Sequence, residues 1–381
     1  MLNSNEKSAM GILFPNSYDA LVPELVNVRL MASIPFASRY RLIDFILSSM
    51  TNCDVDNVSI MVNNNYHSLM DHLGSGREWD LVRKNGGLNI FPPFAEKDSK
   101  PYTGRVEALA GILNFIRDQK EKYVILTDTN MAVNFDFKAM LQAHIDSGAD
   151  VTIAYNEQEL PGNIRDSKAN DKGFYYTFDI EDGRITKIYV NPKEAGVQNF
   201  SMNIYIIEKD LLVELIDTAF IHGQHYFERD VILPRLSQLN VQAYKYTGYV
   251  ARISGMKSYF DENMKLLDDY NLDALFSGPP IYTKLHGGDP TRYIEGAKVQ
   301  EVMAADGCVI EGEVENSVLF RGVKIGKGAK VKNCVLMQNT VVEAGADIEY
   351  LVTDKNVTVT AGKEMKGTDT FPVYIGKFQT V

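Results

Sequence analysis

The sequence predicts an α/β domain with a mostly parallel sheet, followed by a parallel β-helix. Over roughly the first 250 residues, short apolar runs alternate with helix-like segments, which is typical of βαβ units. Beyond residue 295, single aliphatic residues recur about every six positions, with glycine or alanine between them. That period indicates a solenoid of hexapeptide repeats, with one triangular coil per about 18 residues. A β-sandwich with regular turns is the alternative.

The individual elements follow from runs bounded by polar turns. Strands are predicted at residues 12–14, 58–62, 123–127, 151–155, 174–180, 185–190, 202–207, 241–246 and 250–253. Helices are predicted at residues 42–50, 106–116, 137–147, 210–218, 229–239 and 256–267. Asp182 and Gly183 predict a two-residue hairpin turn. Proline and glycine then become frequent, so we expect a first domain at 1–270, a linker at 271–295 and the β-helix at 296–381.

Composition and charge exclude several classes of protein. A chain of 381 residues is too long for one ordinary core, which favours two domains. The formal charge of −11 disfavours a nucleic-acid partner, and no apolar run reaches the roughly 18 residues of a membrane span. Three cysteines predict free thiols in a reducing cytoplasm. We therefore expect a cytoplasmic protein that handles small molecules or protein partners.

The turn after the first strand lacks the residues that bind phosphates. Residues 15–20 read PNSYDA, without glycine, lysine or arginine. A fold that holds phosphates at this place needs glycines, because backbone N–H groups must approach the phosphate oxygens closely. The sequence therefore predicts no working phosphate loop after the first strand.

Several other segments carry a specific resemblance. They are RYRLIDFILSSMTNCDVDNVSIMVNNNYHSLMDHL, YTGRVEAL, YVILTDTN, PIYTKLHGGDPTRYI and CVIEGEVENSVLFRGVKIGKGAKVKNCVL. Together they resemble the ADP-glucose pyrophosphorylase (glucose-1-phosphate adenylyltransferase) family. The resemblance implies a doubly wound, Rossmann-like nucleotidyltransferase domain joined to a left-handed β-helix, usually in a tetramer, in bacterial glycogen synthesis. It also implies the reaction of ATP with glucose 1-phosphate to give ADP-glucose and pyrophosphate, assisted by Mg²⁺.

Four positions where that family has charged groups are degenerate here. The loop arginine corresponds to Leu21, the active-site lysine to Met31, and the two metal-binding aspartates to Thr129 and Ile253. Loss of one such group typically costs on the order of 10²–10³ in rate. The chain therefore resembles the non-catalytic subunits of the family, and we expect no cofactor here and Mg²⁺ in a catalytic partner.

Other positions keep remnants of a substrate site. Tyr102, Gly104 and Glu107 match the family's Y-x-G-x-A-D segment, with glutamate in place of aspartate. Asp128 lies one position before the expected metal ligand, and Lys193 lies near the sugar-phosphate motif. A weakly active adenylyltransferase that uses Asp128 and Lys193 in shifted roles is therefore the alternative function.

Regulatory positions are the last candidates. By the resemblance, Arg29 and Arg41 lie where the family binds sugar-phosphate or nucleotide effectors, and Arg39 adds a further positive charge nearby. Arginines can bind one phosphate through paired N–H groups. A structural alternative is that Arg41 caps or pairs with Asp44 at i, i+3. We expect the chain to form a hetero-oligomer of tetrameric size with a catalytic adenylyltransferase subunit, or a homo-oligomer alone.

Overall fold

The computed structural model describes residues 8–92, 102–162 and 175–381, so the first residue of the strand predicted at 174–180 lies outside these ranges. The strands of the N-terminal domain are β1 (Ala9–Phe14), β2 (Pro35–Phe36), β3 (Tyr40–Arg41), β4 (Asn57–Met61), β5 (Gly87–Phe91), β6 (Tyr123–Asp128), β7 (Met131–Ala132), β8 (Val151–Glu159), β9 (Tyr176–Glu181), β10 (Arg184–Val190), β11 (Val197–Glu208), β12 (Val241–Lys245) and β13 (Ala251–Arg252). The α-helices are α1 (Pro23–Val26), α2 (Leu42–Asn52), α3 (His67–Leu73), α4 (Arg105–Gly111), α5 (Leu113–Asp118), α6 (Phe137–Ser147), α7 (Lys209–Ile221), α8 (Met256–Lys265) and α9 (Asp269–Phe276).

A nine-stranded sheet organises this domain, in the order β5-β4-β1-β6-β11-β8-β12-β10-β9. Along that order the described strands make four parallel and four antiparallel neighbours, so the sheet is mixed rather than mostly parallel. The difference arises because β11 runs against both its neighbours and because β9 and β10 form a hairpin. Asp182 and Gly183 form its turn with positive φ values of 49° and 82°, as a type I′ turn requires.

Helices cover both faces of the sheet, as a doubly wound fold requires. Side chains alternate along β1, since successive residues of a strand point to opposite faces. Ile12 and Phe14 join the core that includes Leu109 of α4 and Ile216 of α7. Leu13 joins the opposite core, which contains residues of α2, α3 and α6. The predicted α/β class is confirmed.

Two predicted helices differ from the observed ones. The helix predicted at 106–116 is divided into α4 and α5 at Ile112, whose φ of −117° and ψ of 17° are not helical. The helix predicted at 229–239 is a π-helix at Phe227–Ile232 followed by a 3₁₀ turn at Leu233–Arg235. Pro234 lacks an N–H group and so cannot continue a regular hydrogen-bond ladder.

The segment between the domains is shorter than the linker expected at 271–295. Helix α9 extends into it, because the Asp268 side chain accepts the Asn271 N–H at 3.2 Å and Leu275 is buried. At the other end, Arg292–Tyr293 already pairs in parallel with a strand of the solenoid. The connection without helix or strand therefore covers residues 277–291.

The C-terminal domain is a parallel β-helix. Its strands are β14 (Arg292–Tyr293), β15 (Lys298–Ala304), β16 (Val309–Ile310), β17 (Glu313–Leu319), β18 (Lys324–Ile325), β19 (Lys330–Lys332), β20 (Val335–Leu336), β21 (Val341–Val342), β22 (Asp347–Glu349), β23 (Leu351–Thr353), β24 (Thr358–Val359), β25 (Glu364–Lys366) and β26 (Val373–Ile375). Each named pairing is parallel, and Val314, Val331 and Ile348 stack 17 residues apart, near the predicted 18. The β-sandwich alternative is excluded.

The two domains share a hydrophobic cluster. Leu25 and Met31 of the N-terminal domain pack in it with Phe320 and Met337 of the β-helix. All three cysteines are free thiols. Among the described helices, none has the length and apolarity needed to cross a bilayer.

Candidate functional site

A cavity of about 210 Å³ lies beyond the carboxyl ends of β1 and β4. Open α/β folds bind ligands at this edge of the sheet. The residues that line it are Phe14, Asn16, Ser17, Tyr18, Asn63, Tyr102, Thr103, Gly104, Arg105, Tyr176, Tyr226, Phe227 and Glu228.

A buried arginine is the central charge of this cavity. Arg105, the first residue of α4, contacts Asp128 Oδ2 through Nη2 at 2.6 Å and Glu228 through Nη1. The side chains of all three residues are nearly inaccessible to solvent. Burial by itself lowers the pKa of Arg105, but Asp128 and Glu228 outweigh it and hold that pKa well above its usual range. Arg105 is therefore a permanent cation between two carboxylates.

Asp128 also accepts hydrogen bonds from two neutral side chains. Ser17 Oγ donates to Asp128 Oδ1 at 2.7 Å, and Asn203 Nδ2 donates to Oδ2 at 2.9 Å. The Tyr18 hydroxyl is in turn hydrogen-bonded to the Asn203 amide. The loop after β1 is thus attached to Asp128, and a ligand could reach this carboxylate only by displacing protein groups.

The positions that should ligate Mg²⁺ do not fit that ion. Thr129 is buried, and its hydroxyl has no hydrogen-bond partner among the described residues. Ile253 is an apolar core residue whose N–H donates to the Asn130 carbonyl oxygen at 2.9 Å. Mg²⁺ requires carboxylate and water oxygens in octahedral geometry. In the part of the chain that the structure describes, no three His, Cys, Asp or Glu side chains cluster as metal ligands.

The positions expected for the loop arginine and the active-site lysine belong to the apolar core. Leu21 and Met31 pack in the cluster shared with the β-helix. The Met31 N–H donates to Asp19 Oδ1 at 2.8 Å, but burial of this carboxyl raises its pKa to about 7. Tyr18 stacks on Tyr175 with ring centroids 5.3 Å apart. Aromatic and aliphatic groups therefore occupy the space where phosphates would need cations.

The charges around this cavity are already paired within the protein. Arg105 lies between Asp128 and Glu228, and Arg252, which is also buried, interacts electrostatically with Asp128. These two arginines and two carboxylates leave no net positive charge for a polyphosphate.

Three of the predicted remnants lie together at the start of α4. The Tyr102 hydroxyl donates to the Met61 carbonyl oxygen at 2.7 Å. A Cβ at Gly104 would overlap the His225 carbonyl oxygen, so the glycine is required by packing. Glu107 Oε2 accepts the Thr103 N–H at 2.6 Å and Oε1 lies 2.8 Å from His225 Nδ1, outside the residues that line the cavity.

The two remnants of the alternative function are not brought together. Lys193 is exposed in the segment after β10 and does not line the cavity. Asp128 is engaged by Arg105. The structure thus offers no joint use of these two residues.

A second pocket, of about 360 Å³, lies where the N-terminal domain meets the β-helix. Its lining residues are Pro35, Ser38, Arg39, Tyr40, Arg41, His67, Ser68, Asp71, His72, His286, Phe320, Arg321, Gln338, Lys355 and Lys377. Arg39 and Arg41 were expected in such a site. Sequence reasoning missed the cations of the β-helix, because they belong to different coils and resemble ordinary solenoid surface.

Burial acts against two cations of this basic pocket, Lys355 and Arg41, although Asp71 also lines it and Asp306 Oδ2 lies 3.6 Å from Arg321 Nε. Burial, together with repulsion by Arg41 and Arg29, lowers the pKa of Lys355 to about 7. Burial also lowers the pKa of Arg41 to about 10. The Arg41 guanidinium donates to the Ser68 carbonyl oxygen at 2.6 Å, while Asp44 accepts the backbone N–H of Arg41 at 2.9 Å. At the start of α2, the contact with Asp44 thus involves the backbone N–H of Arg41, and the guanidinium of Arg41 remains at the pocket.

Arg29 lies outside this pocket. Its Nη2 donates to both carboxylate oxygens of Asp354, at 2.6 and 2.9 Å, and both side chains are 2% exposed. The Tyr374 hydroxyl donates to the same carboxylate at 2.9 Å. Arg29 therefore holds the two domains together, and its guanidinium is not presented to a ligand.

Arg105 and Glu228 were also missed by sequence reasoning. They are 123 residues apart, and Glu228 belongs to the π-helix that the sequence pattern predicted as α-helix. The one available signal was Arg105 itself, a charged residue inside the motif segment YTGRVEAL.

Comparison with known proteins agrees with this architecture. Residues 27–269 match the Nucleotidyl transferase family, and residues 290–370 match the GlmU-like, C-terminal hexapeptide family. The chain is 32% identical to Glycogen biosynthesis protein GlgD of Bacillus subtilis (strain 168), over 84% of this chain and 82% of that protein. It is 35% identical to GlgD of Geobacillus stearothermophilus, with the same coverage of each chain. It is 33% identical to Glucose-1-phosphate adenylyltransferase of Geobacillus stearothermophilus, over 86% and 84%.

Proposed function

Since this chain belongs to the nucleotidyl transferase family, alongside the GlgD and glucose-1-phosphate adenylyltransferase proteins, we propose that it is a regulatory, catalytically deficient subunit of ADP-glucose pyrophosphorylase. Its homologues support a role in glycogen biosynthesis. In this proposal the chain acts in the cytoplasm and assembles with a catalytic homologue that joins ATP and glucose 1-phosphate.

The observation that carries this proposal is the buried Arg105 between Asp128 and Glu228. Transfer of a nucleotidyl group brings together two anionic substrates, so catalysis depends mainly on charge neutralisation and alignment. In this cleft Arg105 is already bound by two carboxylates, and the nearby Arg252 is buried and donates to Asn156 Oδ1 at 3.1 Å. The residues at the four degenerate positions, Leu21, Met31, Thr129 and Ile253, supply neither a positive charge nor a metal ligand.

The surface of the β-helix supports assembly with another subunit. A solenoid needs its terminal coil capped or paired, because its outer backbone groups and apolar side chains are otherwise exposed. In the last coil, Phe371 and Phe378 are 75% and 68% exposed. We propose this end of the β-helix as part of the contact with the catalytic subunit.

The isolated chain is expected to show no turnover with Mg²⁺, ATP and glucose 1-phosphate, because it lacks the charges that neutralise both substrates. Mixing it with the catalytic adenylyltransferase of the same cell should change the turnover number or effector response several-fold. A coupled assay for pyrophosphate and light scattering of the mixture measure activity and mass together.

The matched control for that experiment is the catalytic subunit supplemented with an equal amount of its own protein. Turnover by the isolated chain within tenfold of about 10 s⁻¹, a median for enzymes, would contradict the deficient role. If light scattering shows that the two proteins stay separate and the assay shows unchanged activity, the regulatory role is contradicted.

The basic pocket between the domains supports an anionic effector site within this function. Arg39, Arg41, Arg321, Lys355 and Lys377 bring positive charge to it from both domains. An anion there would offset the repulsion that lowers the pKa of Lys355. Because the pocket contacts both domains, an occupant could alter how they pack.

Sulfate binding to this pocket should weaken about fivefold between about pH 6 and about pH 8.5. The folded pKa of Lys355 is about 7, so its positive charge is present at the lower pH and lost at the higher one. Sulfate does not titrate in this range, so calorimetry at several pH values measures the change in the protein. The variant K355A should lose most of the pH dependence, because burial lowers the pKa of His72 and His286, which also line the pocket, and so limits their contribution above pH 6.

Two further variants locate the sulfate. R39A, in the pocket, should weaken binding at every pH, whereas K327A, on an exposed part of the solenoid outside the lining residues, should not. Equal effects of R39A and K327A would assign the binding to non-specific surface charge.

A further inference from the structure

We infer that a further pocket between the two domains, here called the α8 pocket, binds an α-linked glucose oligosaccharide. Its volume is about 370 Å³, and it shares no lining residue with the cleft or with the basic pocket. It is lined by Phe260, Asp261, Met264 and Lys265 of α8 and by Asn316, Asn333, Tyr350 and Asp369 of the β-helix. The α-linked glucose in this inference rests on the proposed role in glycogen biosynthesis, whereas the pocket itself does not depend on that role.

Three stacked residues of the β-helix form one wall of the α8 pocket. Asn316, Asn333 and Tyr350 occupy equivalent positions in successive coils, with positive φ values of 43°, 51° and 53°. Asparagine tolerates this left-handed conformation, but a bulky tyrosine is an outlier there. Asn316 Nδ2 donates to Asn333 Oδ1 at 2.6 Å, so a third asparagine would extend the stack. The strained tyrosine therefore indicates that an aromatic ring is needed at this position for more than the turn.

The ring of Tyr350 provides an aromatic surface in the pocket. Tyr350 is half-buried and lines the pocket, whereas Phe260 behind it is only 2% exposed. The two ring centroids lie 6.2 Å apart, with an angle of 50° between the ring planes. Sugar rings have apolar C–H faces, and aromatic side chains combine a large apolar surface with a polar tip that can reach a hydroxyl. Tyr350 is therefore suited to pack against a sugar ring.

The charges beside the α8 pocket are paired with one another. Lys257 forms an ion pair with Asp261, and its Nζ lies 3.8 Å from Asp369 Oδ1. Lys265 Nζ lies 2.6 Å from Glu262 Oε1. Since both lysines already have carboxylate partners, the pocket does not favour a phosphate, which binds best to cations that are free to pair with it. Carboxylate and amide oxygens accept hydrogen bonds from hydroxyl groups, so the polar groups of this pocket fit an uncharged sugar.

The binding of maltotriose to the full-length protein, measured by isothermal titration calorimetry, tests this inference. Maltotriose should bind saturably to the unchanged protein, and Y350N should bind it about tenfold more weakly or worse, because the aromatic surface is lost. Asparagine already adopts the same backbone conformation at positions 316 and 333, so Y350N should still unfold cooperatively in urea. Y350F keeps the ring and should retain most of the affinity.

Two controls show whether the sugar binds in the α8 pocket. Y270N removes a tyrosine that is 81% exposed on α9, outside the lining residues, and should leave the affinity unchanged. Sulfate, which we expect in the basic pocket, should not compete with maltotriose. Absence of saturable binding, equal affinities of Y350N and Y270N, or competition by sulfate would each overturn the inference.

A second variant decides the question if Y350N does not fold. The side chain of Asp369 is 70% exposed, so D369A should fold, and it removes one acceptor of sugar hydroxyls from the pocket. Weaker binding of maltotriose by D369A supports the inference, and unchanged binding overturns it. None of these measurements uses turnover. Failure of maltotriose to bind therefore leaves the deficient role intact, and turnover by the isolated chain would contradict that role without removing the pocket.

Discussion

Replacing Asp354 with alanine should lower the free energy of unfolding by about 3–5 kcal/mol. The substitution leaves the Arg29 guanidinium, 2% exposed, without the carboxylate that binds it at 2.6 and 2.9 Å. It also removes the acceptor of the Tyr374 hydroxyl. Because these groups join the two domains, the loss should appear as earlier separation of the domains in urea. Circular dichroism follows unfolding of the whole chain, and the fluorescence of Trp79, the single tryptophan, follows unfolding of the N-terminal domain.

The matched control is D217A. Asp217 also pairs with an arginine, Arg117 at 2.8 Å, but both side chains are substantially exposed, so we expect a loss of about 0–1 kcal/mol. The double variant R29M/D354L should be more stable than D354A, because no unpaired charge remains buried. A loss in D354A no larger than that in D217A would show that the pair at the domain interface contributes little.

Replacing Asp19 with asparagine should stabilise the protein by about 2–4 kcal/mol at pH 8. Burial raises the pKa of the Asp19 carboxyl from 3.8 to about 7, and the Met31 N–H offsets only part of that penalty. Asparagine keeps the oxygen that accepts the Met31 N–H at 2.8 Å but carries no charge. The gain follows because the native state no longer has to bury an ionised carboxylate.

The pH dependence of this effect has a definite sign. Since the folded pKa is raised, the folded state keeps its proton while the unfolded state loses it above about pH 4. The contribution of the Asp19 proton to stability is therefore complete below about pH 4 and is lost as pH rises through about 7. D19N and the unchanged protein should have similar stability near pH 4 and should differ most above pH 7.

Urea denaturation from about pH 4 to about pH 8 measures that difference. His144, whose pKa burial lowers to about 4, changes stability in the same range but is present in both proteins, so its effect cancels. D217N, at an exposed position, provides the control for loss of one surface charge. Parallel stability curves for D19N and the unchanged protein would exclude an important buried charge at Asp19.

Both predictions concern contacts of the segment at residues 17–31, which follows β1. In this chain the segment packs against the β-helix through Leu25 and Met31 and contacts it electrostatically through Arg29. Its Ser17 is hydrogen-bonded to Asp128 in the cleft. The same residues thus connect the cleft to the domain interface, which fits a subunit whose role is regulatory.

Local patterns predicted most of the architecture. Residues 137–147 were predicted as a helix and form α6. Asp182 and Gly183 form the predicted turn of the hairpin between β9 and β10. Both features depend on residues close in the chain, so a local pattern suffices to predict them. The hexapeptide period predicted the β-helix, since each coil repeats the same inward positions. The mixed sheet and the π-helix were not predicted, because strand direction and the geometry around Pro234 depend on distant packing.

The sequence by itself determined the two domain types and the absence of charged groups at Leu21, Met31, Thr129 and Ile253. Only the tertiary structure decided what replaces those charges. Arg105 meets Glu228 across 123 residues, and Arg29 meets Asp354 across 325. Charges in a buried site must be balanced by neighbours in space, and the partner can come from any part of the chain. No local pattern therefore identifies it.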